Sequence, residues 1–116
     1  MKTLLVVEDE KNLRKLYQQN LTEEGYNVLV AENGKEAIET IKKTKIDLAI
    51  LDIKMEEMNG IDALRKIMEI DKSIKIILNS AYSTYKSDFT TWSADAYLIK
   101  SSNLDELKSK VKELLK

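Results

Sequence analysis

Five short runs of apolar, mostly β-branched residues punctuate the chain, at residues 4–7, 28–31, 48–53, 74–78 and 96–99. Their apolar character is continuous rather than alternating, which suits strands covered on both faces. Between them the apolar positions fall at helical spacing. Leu13, Leu16, Tyr17 and Leu21 form one stripe, and Gly25 stands where a helix C′ glycine belongs. Asn33, with Glu36 three residues on, opens a second helix that leads into Ala37, Ile38 and Ile41. Ile61, Leu64, Ile67 and Met68 mark a third. Leu104, Leu107, Val111, Leu114 and Leu115 mark the last, begun by Asn103 with Glu106 three residues on. Residues 82–93 predict a fourth helix, with Tyr82, Tyr85, Phe89 and Trp92 along one side as a packing stripe. Its serines and threonines are mediocre helix formers, so it depends on packing and is the element expected to open most readily.

Strand followed by helix, five times over, predicts a parallel sheet sandwiched between helices. The 116 residues suffice for one domain, and no repeat, linker or low-complexity tract divides them. Nineteen basic residues against 20 acidic ones remove the electrostatic footprint of a dedicated nucleic-acid binder. Without cysteine there is no disulfide, thiolate zinc site or cysteine nucleophile, and without histidine no triad or imidazole metal site. No apolar run approaches the roughly 20 residues of a membrane helix, and the run at 4–7 is too short for a signal peptide, so a cytoplasmic protein is expected. Proline is absent, where usage of ~5% would give about six.

Doubly wound sheets bind ligands outside the carboxyl ends of their strands. Here the first strand ends in Glu8-Asp9-Glu10, the third carries Asp52, the fourth ends in Asn79-Ser80-Ala81, and the fifth in Lys100. Crowded carboxylates repel unless a cation intervenes. Lys100 is one candidate, and a hard divalent ion held by oxygen ligands, Mg²⁺ foremost, is another. A metal, a carboxylate nucleophile, a lysine and a hydroxyl together suit phosphoryl transfer. Glu8 and Asp9 could instead cap the first helix near its positive end. The face bearing Lys11, Arg14 and Lys15 is expected to be solvated charge, and offers a place for a protein partner to dock.

The chain resembles the receiver domains of bacterial two-component response regulators over essentially its whole length. The likeness is carried by Glu8-Asp9, by Asp52-Ile53-Lys54-Met55-Glu56-Glu57-Met58-Asn59-Gly60, by Ser80-Ala81 and by Ala94-Asp95-Ala96-Tyr97-Leu98-Ile99-Lys100. It implies a flavodoxin-like doubly wound sheet of five parallel strands in the order 2-1-3-4-5, with five helices, as a single receiver domain over residues 1–116. It also implies a signalling domain rather than an enzyme, which takes a phosphoryl group onto Asp52 from a histidine kinase or a histidine phosphotransfer protein. By the same resemblance Glu8, Asp9, Asp52 and the Lys54 carbonyl hold Mg²⁺. Lys100 pairs with Asp52 and then with a phosphoryl oxygen, Ser80 donates to the phosphoryl group, and Tyr97 changes rotamer as the loop at Ser80 moves. The downstream target would be a protein, with neither nucleic acid nor membrane bound directly by this domain.

Several positions depart from the family pattern. Glu56 and Ser101 stand in place of prolines, Ser93 in place of a common glycine, and Glu8 where aspartate is commoner. A non-proline cis bond costs ~2.5–4 kcal/mol, so the Lys100–Ser101 peptide is expected to be trans. Lys54 and Tyr82 lie two residues beyond Asp52 and Ser80, positions that by the resemblance flank the phosphoryl group, so their long side chains are expected to screen the attacking water and slow self-dephosphorylation. Other readings compete. A degenerate receiver would serve as an unphosphorylated interaction module. A flavin carrier of the same fold would want a Ser/Thr/Gly-rich first loop, which Glu8-Asp9-Glu10 is not. A dehalogenase-type phosphatase would want an acid where Lys54 stands.

Overall fold

The computed structural model describes residues 1–53, 60–81, 94–101 and 103–116, with only the backbone at Gly60 and Ile61. Five strands, β1 (Thr3–Val7), β2 (Asn27–Ala31), β3 (Leu48–Asp52), β4 (Lys75–Ser80) and β5 (Ala96–Ile99), pair in parallel in the order β2-β1-β3-β4-β5. This is the expected flavodoxin-like sheet. Four helices accompany it among the described residues: α1 (Lys11–Glu23), α2 (Gly34–Lys43), α3 (Gly60–Ile70) and α4 (Asp105–Leu114). The helix expected over 82–93, with its stripe of Tyr82, Tyr85, Phe89 and Trp92, lies outside the described residues.

Alternation along the strands sends side chains to two separate cores. Leu5, Val7, Ala49, Leu51, Ile76 and Leu78 pack with Ala37 and Ile41 of α2 and with Leu64 and Ile67 of α3. Leu4, Val6, Leu48, Ile50, Ile77 and Leu98 pack on the other face with Tyr17 and Leu21 of α1 and with Leu107 and Val111 of α4. Each fully buried leucine or isoleucine stabilises the fold by about 1.5–3 kcal/mol, so the sheet needs no polar cross-links through its centre. The edge strand β2 is less covered, and Val30 is exposed there.

Helix ends follow the sequence signals with two shifts. After α1, Gly25 adopts φ +96°, its N–H donates to the Thr22 carbonyl (3.0 Å) and that of Tyr26 to Leu21 (3.4 Å), the paired bonds of a Schellman motif. Asn33 caps α2 by accepting from Glu36 N–H (2.9 Å), but the Glu36 carboxylate accepts from Glu32 N–H (3.2 Å) rather than from the cap itself. Asn103 does not cap α4 directly. Its Oδ1 accepts from Asp105 N–H (2.8 Å), an Asx turn that delivers the chain to a helix whose cap position is Leu104. Within the α1 stripe, Leu16 is exposed, because Tyr17 and Leu21 already fill the contact with the sheet.

No peptide bond among the described residues is cis, so the Lys100–Ser101 bond is trans, as the absence of proline predicts. No helix among them is long and apolar enough to cross a membrane.

Candidate functional site

The order β2-β1-β3-β4-β5 reverses direction between β1 and β3, and acidic side chains gather at the carboxyl ends of those two strands. Register pairs Val7 with Leu51, so Glu8 and Asp52 continue the two strands side by side. Register also pairs Asp52 with Asn79, and Ser80 with Ile99, which brings β4 and the start of the β5–α4 turn to the same rim. Glu8, Asp52 and Ser80 are buried there and Asp9 is exposed.

Lys100 binds this rim together. Its Nζ lies 2.6 Å from Glu8 Oε1 and 3.2 Å from Asp52 Oδ2, while its backbone N–H donates to the Ser80 carbonyl at 2.6 Å. The resemblance pairs the lysine with Asp52, and the structure adds Glu8. Glu8 takes the shorter contact because its extra methylene extends the carboxylate toward the ammonium. The other Glu8 oxygen, Oε2, accepts from Glu10 N–H at 3.2 Å.

Glu10 decides the question of the cap. Its two carboxylate oxygens accept from Asn12 N–H (3.0 Å) and Leu13 N–H (2.9 Å), so Glu10 caps α1 and leaves Glu8 and Asp9 for the rim. Arg14 corrects the expectation of a solvated basic face. Its guanidinium donates to the carbonyls of Glu8 (2.9 Å) and Asp9 (3.4 Å) and pairs with Glu32 at 3.3 Å, holding the acidic loop from α1. Lys11 and Lys15 are exposed as expected. The signal for Arg14 was its place one turn inside a helix that follows an acidic loop, where a fork of donors meets carbonyls pointing away from the strand.

Electrostatics reflect burial first. Desolvation pushes the Glu8 carboxyl up to about 7, with the nearby Asp52 charge adding and the Lys100 contact opposing. Desolvation raises Asp52 as well, against the pull of Lys100. Burial works to lower Lys100, yet its contact with Glu8 and the charge of Asp52 leave it above the ordinary lysine value.

One carboxylate oxygen from each of Glu8, Asp9 and Asp52 lies within 4.8 Å of the others. Glu8 Oε1 is fully buried, and the Lys100 ammonium is its partner among the described residues. Three carboxylates converging with a single ammonium among them leave an excess of negative charge, and such an all-oxygen donor set fits a small hard divalent cation. Of the other expected site residues, Tyr97 is buried on β5 in the core that faces α2 and α3. Lys54, expected to lend its carbonyl to the metal, lies outside the described residues.

A doubly wound α/β sheet with an acidic, lysine-bridged crevice at its reversal point defines the class: a flavodoxin-like domain with a cation-suited rim. The chain belongs to the response regulator receiver domain family, whose model matches residues 4–112. It is 46% identical over 81 residues to the chemotaxis protein CheY of Thermotoga maritima, covering 69% of this chain and 68% of that protein. It is 32% identical to the response regulator ArlR of Staphylococcus aureus across 100% of its own length, and spans about half (53%) of that relative. Among solved structures, the response regulator TrrA of Thermotoga maritima in complex with Mg²⁺-BeF superposes with a TM-score of 0.94 at 50% identity, covering 99% of this chain and 100% of that one. TrrA in complex with the histidine kinase ThkA gives 0.92 at 49% identity, with both chains fully covered.

Proposed function

We propose that residues 1–116 act as one cytoplasmic receiver domain in which Asp52 accepts a phosphoryl group from a phosphohistidine of a sensor kinase or phosphotransfer protein. The observation that carries this reading is the Lys100 ammonium, shared between Glu8 and Asp52 in a rim where three carboxylates converge within 4.8 Å. The Mg²⁺-BeF complex of TrrA and the TrrA complex with ThkA support the same metal and the same class of partner.

In the proposed step an Asp52 oxygen attacks phosphorus, the P–N bond to the donor imidazole breaks, and an acyl phosphate forms on the carboxyl group. The imidazole leaves with the bonding pair. Asp52 attacks as the carboxylate, which the Lys100 ammonium at 3.2 Å favours against the penalty of burial. Lys100 then follows the phosphoryl oxygens, leaving Glu8, and Ser80 donates its hydroxyl to another of them. Glu8, Asp9 and Asp52, with the Lys54 carbonyl, would hold Mg²⁺, which when bound would supply positive charge to offset the negative charge of the reacting groups. Tyr97, buried on β5 next to the strand that ends in Ser80, turns as that end moves.

Acetyl phosphate and Mg²⁺ test this directly. Intact mass of the treated protein should rise by one phosphoryl unit, with no gain for Asp52→Ala or in excess chelator. An unchanged wild-type mass would leave the non-phosphorylated interaction module as the better description. In the labelled protein Lys54→Ala should shorten the phosphoryl lifetime, the outcome expected if a long side chain at this position screens water; an unaltered decay rate would discard that role.

A further inference from the structure

The apolar run of β4 breaks at Asn79 while the strand is still buried: Ile76, Ile77 and Leu78 are fully enclosed, and Asn79 itself is only 5% exposed. A buried amide is unfavourable without a partner, and this one has a specific partner. Asn79 Nδ2 donates to the Tyr17 hydroxyl at 3.1 Å, joining α1 to the end of β4 across 62 residues of sequence. Tyr17 is 2% exposed, so both polar groups would lose a buried partner if the pair parted. A cavity of about 320 Å³ lies beside the pair, lined also by Leu98, Leu104 and Leu107.

The bond sits where it bears on the rim. Asn79 is the register partner of Asp52 and the residue before Ser80. The carbonyl of Ser80 receives the backbone N–H of Lys100, so whatever fixes the end of β4 fixes both the Ser80 backbone and the root of the lysine. The phenol is close enough to feel Lys100, Glu8 and Asp52, although burial is the main influence on it.

We infer that Tyr17 and Asn79 are positioning residues for phosphoryl transfer: their hydrogen bond ties the end of β4 to α1 and sets where Ser80 and Lys100 stand relative to Asp52. The inference rests on the reading of Asp52 as phospho-acceptor. It makes the face of the sheet that carries α1 part of the apparatus, in addition to the face that buries Tyr97.

The test compares wild type, Tyr17→Phe, Asn79→Leu and the double variant, by urea midpoint and by the rate of labelling with saturating acetyl phosphate and Mg²⁺. Each single variant strands one buried polar group and should lose stability, and the double, which strands neither, should regain most of it. The labelling rate should fall about tenfold in the single variants and stay low in the double, because misplacement rather than instability limits it. Mg²⁺ affinity should hold, since neither residue bonds a carboxylate of the rim. A double variant with restored stability and wild-type rate would reduce the bond to a structural one and overturn the inference. If the double is unstable, Tyr17→Phe decides, measured far below its midpoint: a wild-type rate overturns the inference and a tenfold loss supports it. Absence of label on the wild type overturns this inference together with the reading beneath it.

Discussion

Glu8 shows how a single methylene changes the chemistry of the rim. Its carboxylate reaches Lys100 at 2.6 Å, closer than Asp52 does, and accepts that contact at the expense of solvent. Burial is the larger influence, and it raises the carboxyl from 4.5 to about 7. A carboxyl whose folded value lies above its unfolded value binds more protons in the native state between those two values. The slope of unfolding free energy with pH is then negative, so the metal-free protein loses stability as pH climbs from about 4.5 through about 7. Asp52 shifts in the same direction and adds to the loss. Glu8→Gln cannot ionise and should have a flatter profile across this window. The difference between the two proteins is capped at roughly 3–4 kcal/mol, since each pKa unit is worth about 1.4. Urea midpoints in chelator at pH 5 and pH 8 measure it; parallel profiles would show that Glu8 carries no such penalty.

At the scale of elements, most of the fold was legible because continuous apolar runs mark buried parallel strands regardless of what lies between them. The runs found all five strands and missed their ends. Ile74 is buried but precedes β4, and β4 continues through Asn79 and Ser80, where polarity hid a strand whose Asn79 amide bonds the Tyr17 hydroxyl and whose Ser80 carbonyl receives Lys100 N–H. The acids, Ser80 and Lys100 were legible from their places after strands. Their pairing was not, since it depends on side-chain length and on loop paths that Arg14 and Glu10 fix from α1. Gly25 was legible for a simpler reason, that only glycine enters φ +96° freely. An alanine there meets nothing within 4 Å, so its effect is purely conformational. Gly25→Ala should destabilise the protein by about 1–2 kcal/mol. It should lower the urea midpoint with an unchanged m-value, and an unaltered midpoint would mean that the α1–β2 turn has another backbone path.

At the scale of the molecule, the rim exists only when the sheet exists. Glu8 and Asp9 follow β1, Asp52 ends β3, and Lys100 follows β5, so the unfolded chain has no comparable cluster of charge. A divalent ion that binds this cluster binds the native state alone, and must raise global stability by mass action, about 2.7 kcal/mol at a concentration 100 times its dissociation constant. Removing one buried carboxylate should do the opposite to each form. Asp52→Ala leaves Glu8 and Lys100 as a neutral pair and deletes a desolvated charge, so it should raise the midpoint of the metal-free protein. The same variant loses one carboxylate of the proposed metal site, so millimolar Mg²⁺ should shift the wild-type midpoint and leave the variant nearly still. Because the whole sheet must unfold to disperse the ligands, the wild-type shift should come with no change in m-value. Equal Mg²⁺ shifts in both proteins would mean that the ion binds away from Asp52, and the crevice between β1 and β3 would lose its claim to the metal.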